Sequence, residues 1–151
     1  MAVEIERKFL VRSFHAPSEG TLYRQGYLLN EVERNVRVRI AGERAFLTIK
    51  GKAQGIARPE FEYEIPRLDA DALLAMCQGP LIEKRRHLVE HHGHTWEVDE
   101  FLGENAPLVV AELELKSADE SFDKPDWLGN EVSDDPRYLN ASLVKKPYSR
   151  W

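Results

Sequence analysis

Stretches in which every second residue is apolar recur along most of the chain, at residues 3–11, 23–29, 35–40, 45–50, 60–65, 83–90, 95–101 and 108–116. Successive side chains of a strand point to opposite faces, so this period predicts eight strands, each with one apolar and one polar side. The breaks at 17–20, 41–42, 51–55, 92–93 and 103–107 carry turn chemistry, and their shortness implies hairpins in an antiparallel sheet. Two helices are predicted. One covers 69–78, capped by Asp69, carrying Leu73, Leu74 and Met76, and ended by Gly79 and Pro80. The other starts at Asp135, with Pro136 in its first helical position and Leu139 and Leu143 facing inward. The expected class is mainly β with short helices (α+β), in a single domain spanning residues 1–151.

The polar faces decide how such a sheet must close. On them lie Glu4, Glu6 and Lys8, then Arg37 with Arg39, Thr48 with Lys50, Glu62 with Glu64, Lys84 with Arg86, Glu97 with Asp99, and Glu112 with Glu114. A lone pair of this kind is ordinarily a solvated face, which usually mixes Thr, Ser, Gln, Lys and Glu. Like charges two apart, repeated in strand after strand, repel one another and are not chosen for stability. They are explained if mobile ions of opposite sign complete the site: carboxylates gather hard divalent cations, and guanidinium and ammonium groups gather an oligophosphate. Unpaired charges in a dry core would each cost several kcal/mol, so the cavity must be wet or ligand-filled. An eight-stranded antiparallel β-barrel around a charged tunnel meets that condition, with its apolar exterior covered in part by the helices, Trp127 and Trp151.

Other features bound the function. The net charge of −5 argues against a general nucleic-acid binder. No apolar run approaches the ~20 residues of a membrane helix, and the acidic start does not read as a signal peptide. The lone Cys77 cannot form an internal disulfide, so a cytoplasmic location is expected. His91, His92 and His94 straddle a hairpin tip at Gly93 and read as a solvated turn rather than a zinc site. Residues 51–55 lack the Gly-Lys-Ser/Thr ending of a P-loop and open no helix.

Glu4-Ile5-Glu6-Arg7-Lys8 matches the ExExK signature of the triphosphate tunnel metalloenzymes, or CYTH superfamily, and the chain resembles that family. The likeness continues through Gln25-Gly26-Tyr27, residues 36–40, 47–51, 62–65, 83–86, 97–99 and 112–114, and ends at 127–132. It implies an eight-stranded antiparallel tunnel, in agreement with the alternation.

By matching position, the resemblance implies that Glu4, Glu6, Glu112 and Glu114 hold a divalent metal, Mg2+ or Mn2+, with Glu62, Glu64 and Asp99 serving a second ion. Lys8, Arg37, Arg39, Lys50, Lys84 and Arg86 would form the phosphate cradle; Lys116 and Arg85 are further candidates for it, although Arg85 should point outward by parity, and Glu97 reads as a spectator beside Asp99. Lys8 and Lys50 are also expected at the reacting centre. The proton acceptor is either Tyr27, beside the Lys50 ammonium, or Glu62 or Glu64 acting on water.

The implied reaction is metal-dependent hydrolysis of a triphosphate, with inorganic tripolyphosphate favoured because the chain resembles the compact bacterial members. Class IV adenylyl cyclase is the alternative, but its aromatic-rich lead has no room in Met1 to Val3. Thiamine or nucleoside triphosphatase, and a non-catalytic triphosphate- or polyphosphate-binding module, complete the set. The sequence leaves the oligomeric state open, a homodimer included.

Overall fold

The structure is a computed structural model that describes residues 3–151. Its strands are β1 (Val3–Val11), β2 (Thr21–Asn30), β3 (Arg34–Ala41), β4 (Arg44–Gly51), β5 (Ala57–Ile65), β6 (Gln78–His91), β7 (His94–Phe101), β8 (Val109–Glu114) and β9 (Leu128–Glu131). There are two helices, α1 (Arg67–Leu74) and α2 (Asn140–Lys145), and short 3-10 turns elsewhere in the chain. All strand pairs are antiparallel, in the order β5-β4-β3-β2-β6-β7-β8-β1, and β1 closes on β5 through Val3, Glu4 and Ile5. Closure of these eight strands removes the free edges of the sheet.

Hairpin chemistry explains the register. In the β6–β7 turn, His92 (φ 48°) and Gly93 (φ 83°) both adopt positive φ, the paired conformation that matches strand twist. His92 and His94 bind Asp123 and Glu120, each at 2.8 Å, so both imidazoles are tied to a loop.

Parity divides the barrel walls as expected. Outside, Phe9, Trp96, Val98, Ala111 and Leu113 pack beneath a loop that brings Phe122 and Trp127, with Phe9 and Trp96 edge to face at 5.6 Å. Helix α1 covers the outer face of β3 and β4, placing Ala70 and Leu74 on Val38, Ile40 and Ala45. At one end the interior turns apolar: Tyr27, Ile82, Phe101 and Val110 meet Val132, Tyr138, Leu143 and Val144 of the C-terminal segment, which plugs the barrel.

Four expectations are corrected. α1 spans Arg67–Leu74 with no side-chain cap, and Asp69 lies in its first turn. Gln78, Gly79 and Pro80 therefore open β6, where Gly79 takes φ +73°. The C-terminal helix is split: Asp135 caps a 3-10 turn with Pro136 at its start, Leu139 is extended and exposed, and α2 begins at Asn140 with Leu143 buried. Trp151 packs on Tyr138 and Tyr148, away from the outer strand faces, and β9 is an additional short strand paired with the second half of β1. No helix of the described residues is long and apolar enough to cross a membrane.

Candidate functional site

The barrel encloses a cavity of about 550 Å³, within the range of small-molecule sites. Carboxylates crowd one arc of its wall and cations the other, with Lys8 of β1 and Arg58 of β5 as basic exceptions on the acidic strands. From β7, β8, β1 and β5 come Glu97, Glu112, Glu114, Glu4, Glu6, Glu60 and Glu62; from β4, β3 and β6 come Lys50, Arg37, Arg39, Lys84 and Arg86. β2, in the middle of the basic arc, adds Tyr23 and Tyr27.

Strand register builds the acidic wall. Glu6 pairs with Glu114 across β1 and β8, and Glu97 pairs with Glu112 across β7 and β8. Glu4, Glu6 and Glu114 each bring a carboxylate oxygen within 4.8 Å of the others, as do Glu6, Glu97 and Glu112, so Glu6 belongs to both groups. Burial, then Glu112 and Glu4, push the Glu6 carboxyl well above its ordinary range. Partial burial and the neighbouring carboxylates Glu97, Glu4, Glu60 and Glu112 push Glu114 up to about 7. This excess negative charge in an oxygen-rich cluster is what a hard divalent cation cancels, so the residues fit such an ion.

Glu112 behaves oppositely. Burial opposes its ionisation, but Lys8 and Arg86 overcome that and hold its carboxyl well below the usual range. Lys8 Nζ lies 3.3 Å from Glu112 and donates to the Tyr138 carbonyl at 3.1 Å. Arg86 links Asp99 (2.8 Å), Glu97 (3.0 Å) and Glu112 (3.1 Å), tying the basic wall to the acidic one.

The basic wall holds its cations with unequal support. Lys84 is buried against Asp99 at 2.7 Å; burial lowers its pKa to about 7, Asp99 opposes that, and Arg86 and Arg39 add to it. Arg37 approaches Glu62 at 3.5 Å and Thr48 at 3.3 Å. Arg39 has no carboxylate partner among the described residues; burial, Arg37 and Arg86 lower its pKa to about 10. Tyr23 separates these guanidinium groups, with Arg39 4.9 Å and Arg86 4.8 Å from its ring centroid.

The structure therefore brings together Glu4, Glu6, Lys8, Tyr27, Arg37, Arg39, Lys50, Glu62, Lys84, Arg86, Glu112 and Glu114 as cavity lining. It leaves out Glu64, which is exposed and bound to Arg44 through both carboxylate oxygens at 3.1 and 2.8 Å. Asp99 is fully buried as the counter-ion of Lys84 and Arg86, whereas Glu97 reaches the cavity, reversing the expected order of that pair. Lys50 Nζ is engaged by Glu4 at 3.1 Å and Glu60 at 3.3 Å, and no hydrogen bond joins it to Tyr27 among the described residues. Lys116 and Arg85 stay off the cavity wall. Glu60, Arg58 and Tyr23 line the site without having been singled out, although each shares strand parity with a residue that was. Asn140, from α2, also lines it and carries no periodic signal.

A closed β-barrel whose interior opposes a carboxylate wall to a guanidinium and ammonium wall defines a tunnel protein for a polyanion and its cations. The chain belongs to the CYTH domain family, whose match covers residues 2–148. It is similar to an inorganic triphosphatase of Acetivibrio thermocellus, 49% identical over 100% of this chain and 99% of the relative. An inorganic triphosphatase of Nitrosomonas europaea is 36% identical over 93% of this chain and 96% of its own. A solved crystal structure of an inorganic triphosphatase superposes with a TM-score of 0.68 at 34% identity, covering 95% of each chain.

Proposed function

We propose that the protein is a divalent-metal-dependent triphosphatase that hydrolyses inorganic tripolyphosphate to pyrophosphate and phosphate. The observation that carries this reading is the facing of the two charged walls across one cavity, with Arg86 joining them. Phosphoryl transfer demands chiefly positioning and charge neutralisation, and the cavity is equipped for both. Arg37, Arg39, Lys84 and Arg86 bind and orient the phosphoryl oxygens, and Lys8 and Lys50 complete the cradle from the acidic side. Glu4, Glu6 and Glu114, with Glu97 and Glu112, would hold Mg2+ or Mn2+, which supplies Lewis-acid charge to those oxygens when bound.

Water attacks a terminal phosphorus, the bridging P–O bond breaks, and pyrophosphate leaves. The proton of that water has two acceptors on the wall. Glu62 holds one carboxylate oxygen on Thr48 at 2.8 Å, and the Tyr27 phenol lies three strands away, on β2. Comparing Glu62→Gln with Tyr27→Phe assigns the role. We infer action in the cytoplasm, supported by the single free thiol at Cys77.

The test is release of phosphate from tripolyphosphate, ATP and thiamine triphosphate, with and without Mg2+, repeated with Glu4→Ala and Glu112→Ala. Turnover of tripolyphosphate above the others, lost in both variants, is expected. Cyclic AMP from ATP would point to a cyclase, tight binding without turnover to a sensor, and full turnover in both variants would refute the metal ligands.

A further inference from the structure

The C-terminal helix reaches the phosphate cradle through one neutral side chain. Asn140 opens α2 and lines the cavity, and its Oδ1 accepts from Lys84 Nζ at 2.9 Å and from Gln25 Nε2 at 3.0 Å. Gln25, fully buried, presents its Oε1 to Arg39 Nε at 2.8 Å. These partners fix both amides. The Arg39 guanidinium only donates, so the atom of Gln25 facing it must be the amide oxygen; that turns the NH2 of Gln25 toward Asn140, whose oxygen must accept it, and the NH2 of Asn140 away from Gln25 and Lys84.

Asn140 Nδ2 is thereby left with two N–H donors and no protein acceptor among the described residues. It belongs to a cavity-lining residue beside Lys84, whose ammonium is already aimed by Asp99 and Asn140. Resting on the triphosphatase reading, we propose that Asn140 is a ligand-binding residue: its amide NH2 donates to a phosphoryl oxygen of the triphosphate, while its carbonyl oxygen holds Lys84 and, through Gln25, Arg39 toward the same group. A neutral donor extends the cradle without adding a further buried charge to a wall that already carries the unpaired Arg39.

The experiment titrates tripolyphosphate into the protein in EDTA by calorimetry and measures KM with Mg2+, for wild type, Asn140→Asp and Asn140→Leu. Asn140→Asp keeps an oxygen for Lys84 and Gln25 but has no N–H, and Asn140→Leu has neither. Both are expected to weaken tripolyphosphate binding and raise KM by about 10- to 100-fold, the range for a hydrogen bond to a charged group. In wild type, the Asn140 side-chain amide resonances should shift on saturation with tripolyphosphate. Wild-type affinity in Asn140→Leu overturns the proposal and assigns any loss in Asn140→Asp to its added charge. If Asn140→Leu does not fold, unmoved amide resonances in wild type overturn it equally. Tripolyphosphate binding that shifts these resonances without turnover on adding Mg2+ would refute the triphosphatase reading and leave Asn140 as a ligand-binding residue.

Discussion

Glu6 and Glu114 face one another as register partners across β1 and β8, two like charges whose carboxylate oxygens lie within 4.8 Å. Directly opposed like charges destabilise a strand pair, so this arrangement lowers the stability of the metal-free barrel. Folding imposes the repulsion, and a cation between the two walls relieves it.

The first prediction concerns pH. The Glu114 carboxyl titrates near 7 in the fold, above its ordinary value of 4.5, so between these values the folded chain binds protons that the unfolded chain has released. Stability in EDTA therefore falls as pH rises from about 4.5 to about 7. Glu112 and Asp99, held low, act the other way: their contribution is present above the ordinary carboxylate range and is lost as pH falls below it. Thermal unfolding in EDTA should show a lower Tm at pH 8 than at pH 5.5. Saturating Mg2+ at pH 8, at about 100 times Kd, should add about 2.7 kcal/mol, a rise of roughly 5–10 °C.

Replacing Glu6 separates stability from activity. Because Glu6 belongs to both carboxylate groups, Glu6→Gln should lower Mg2+-dependent kcat/KM on the order of 10³-fold. The same substitution removes a like-charge contact, so the Tm in EDTA should rise and the Mg2+-induced increase should shrink. Paired assays of phosphate release and thermal unfolding check both signs.

Arg39 provides a test of the basic wall. Without a carboxylate to neutralise it, its charge is available to the ligand, and its Nε is anchored on Gln25. Arg39→Ala should raise the KM for tripolyphosphate about 10- to 100-fold, the range for a charged hydrogen bond. Its effect on Tm should be small or favourable, because an unpaired charge leaves the interior.

The apolar plug connects stability to the site. Leu143 is buried against the barrel end, so Leu143→Ala should cost about 2–5 kcal/mol. Because α2 carries Asn140, the KM should rise with the loss of Tm, and tripolyphosphate should recover part of the stability.

Much of the barrel was legible because period two survives wherever one face is wet and the other packed. The predicted 3–11 is β1 to the residue, and 35–40 and 45–50 fall one residue short of β3 and β4 at each end. The start of β6 was obscured because Gln78, Gly79 and Pro80 carry helix-stopping chemistry, yet Gln78 pairs with Tyr27 of β2 across a register shift before Ile82 meets Gln25. β9 is four residues long and, among the described residues, pairs only with β1, too short for alternation to register. In the site, parity told which side chains face inward but not which charges satisfy one another. Glu64 shares the face of Glu62 yet is taken by Arg44, and Asp99 is taken by Lys84 and Arg86, leaving Glu97 for the cation groups. Asn140 depends on how a C-terminal helix docks, which no local pattern encodes.

The central claim is that the two walls bind one triphosphate and its cations together. A crystal structure with Mn2+ and tripolyphosphate, with manganese located by anomalous scattering, tests it most directly. The account predicts manganese on Glu6 and at least two of Glu4, Glu97, Glu112 and Glu114, with the phosphorus chain against Arg37, Arg39, Lys84 and Arg86. Manganese and phosphate bound on the outer surface, with the cavity holding only water, would contradict it.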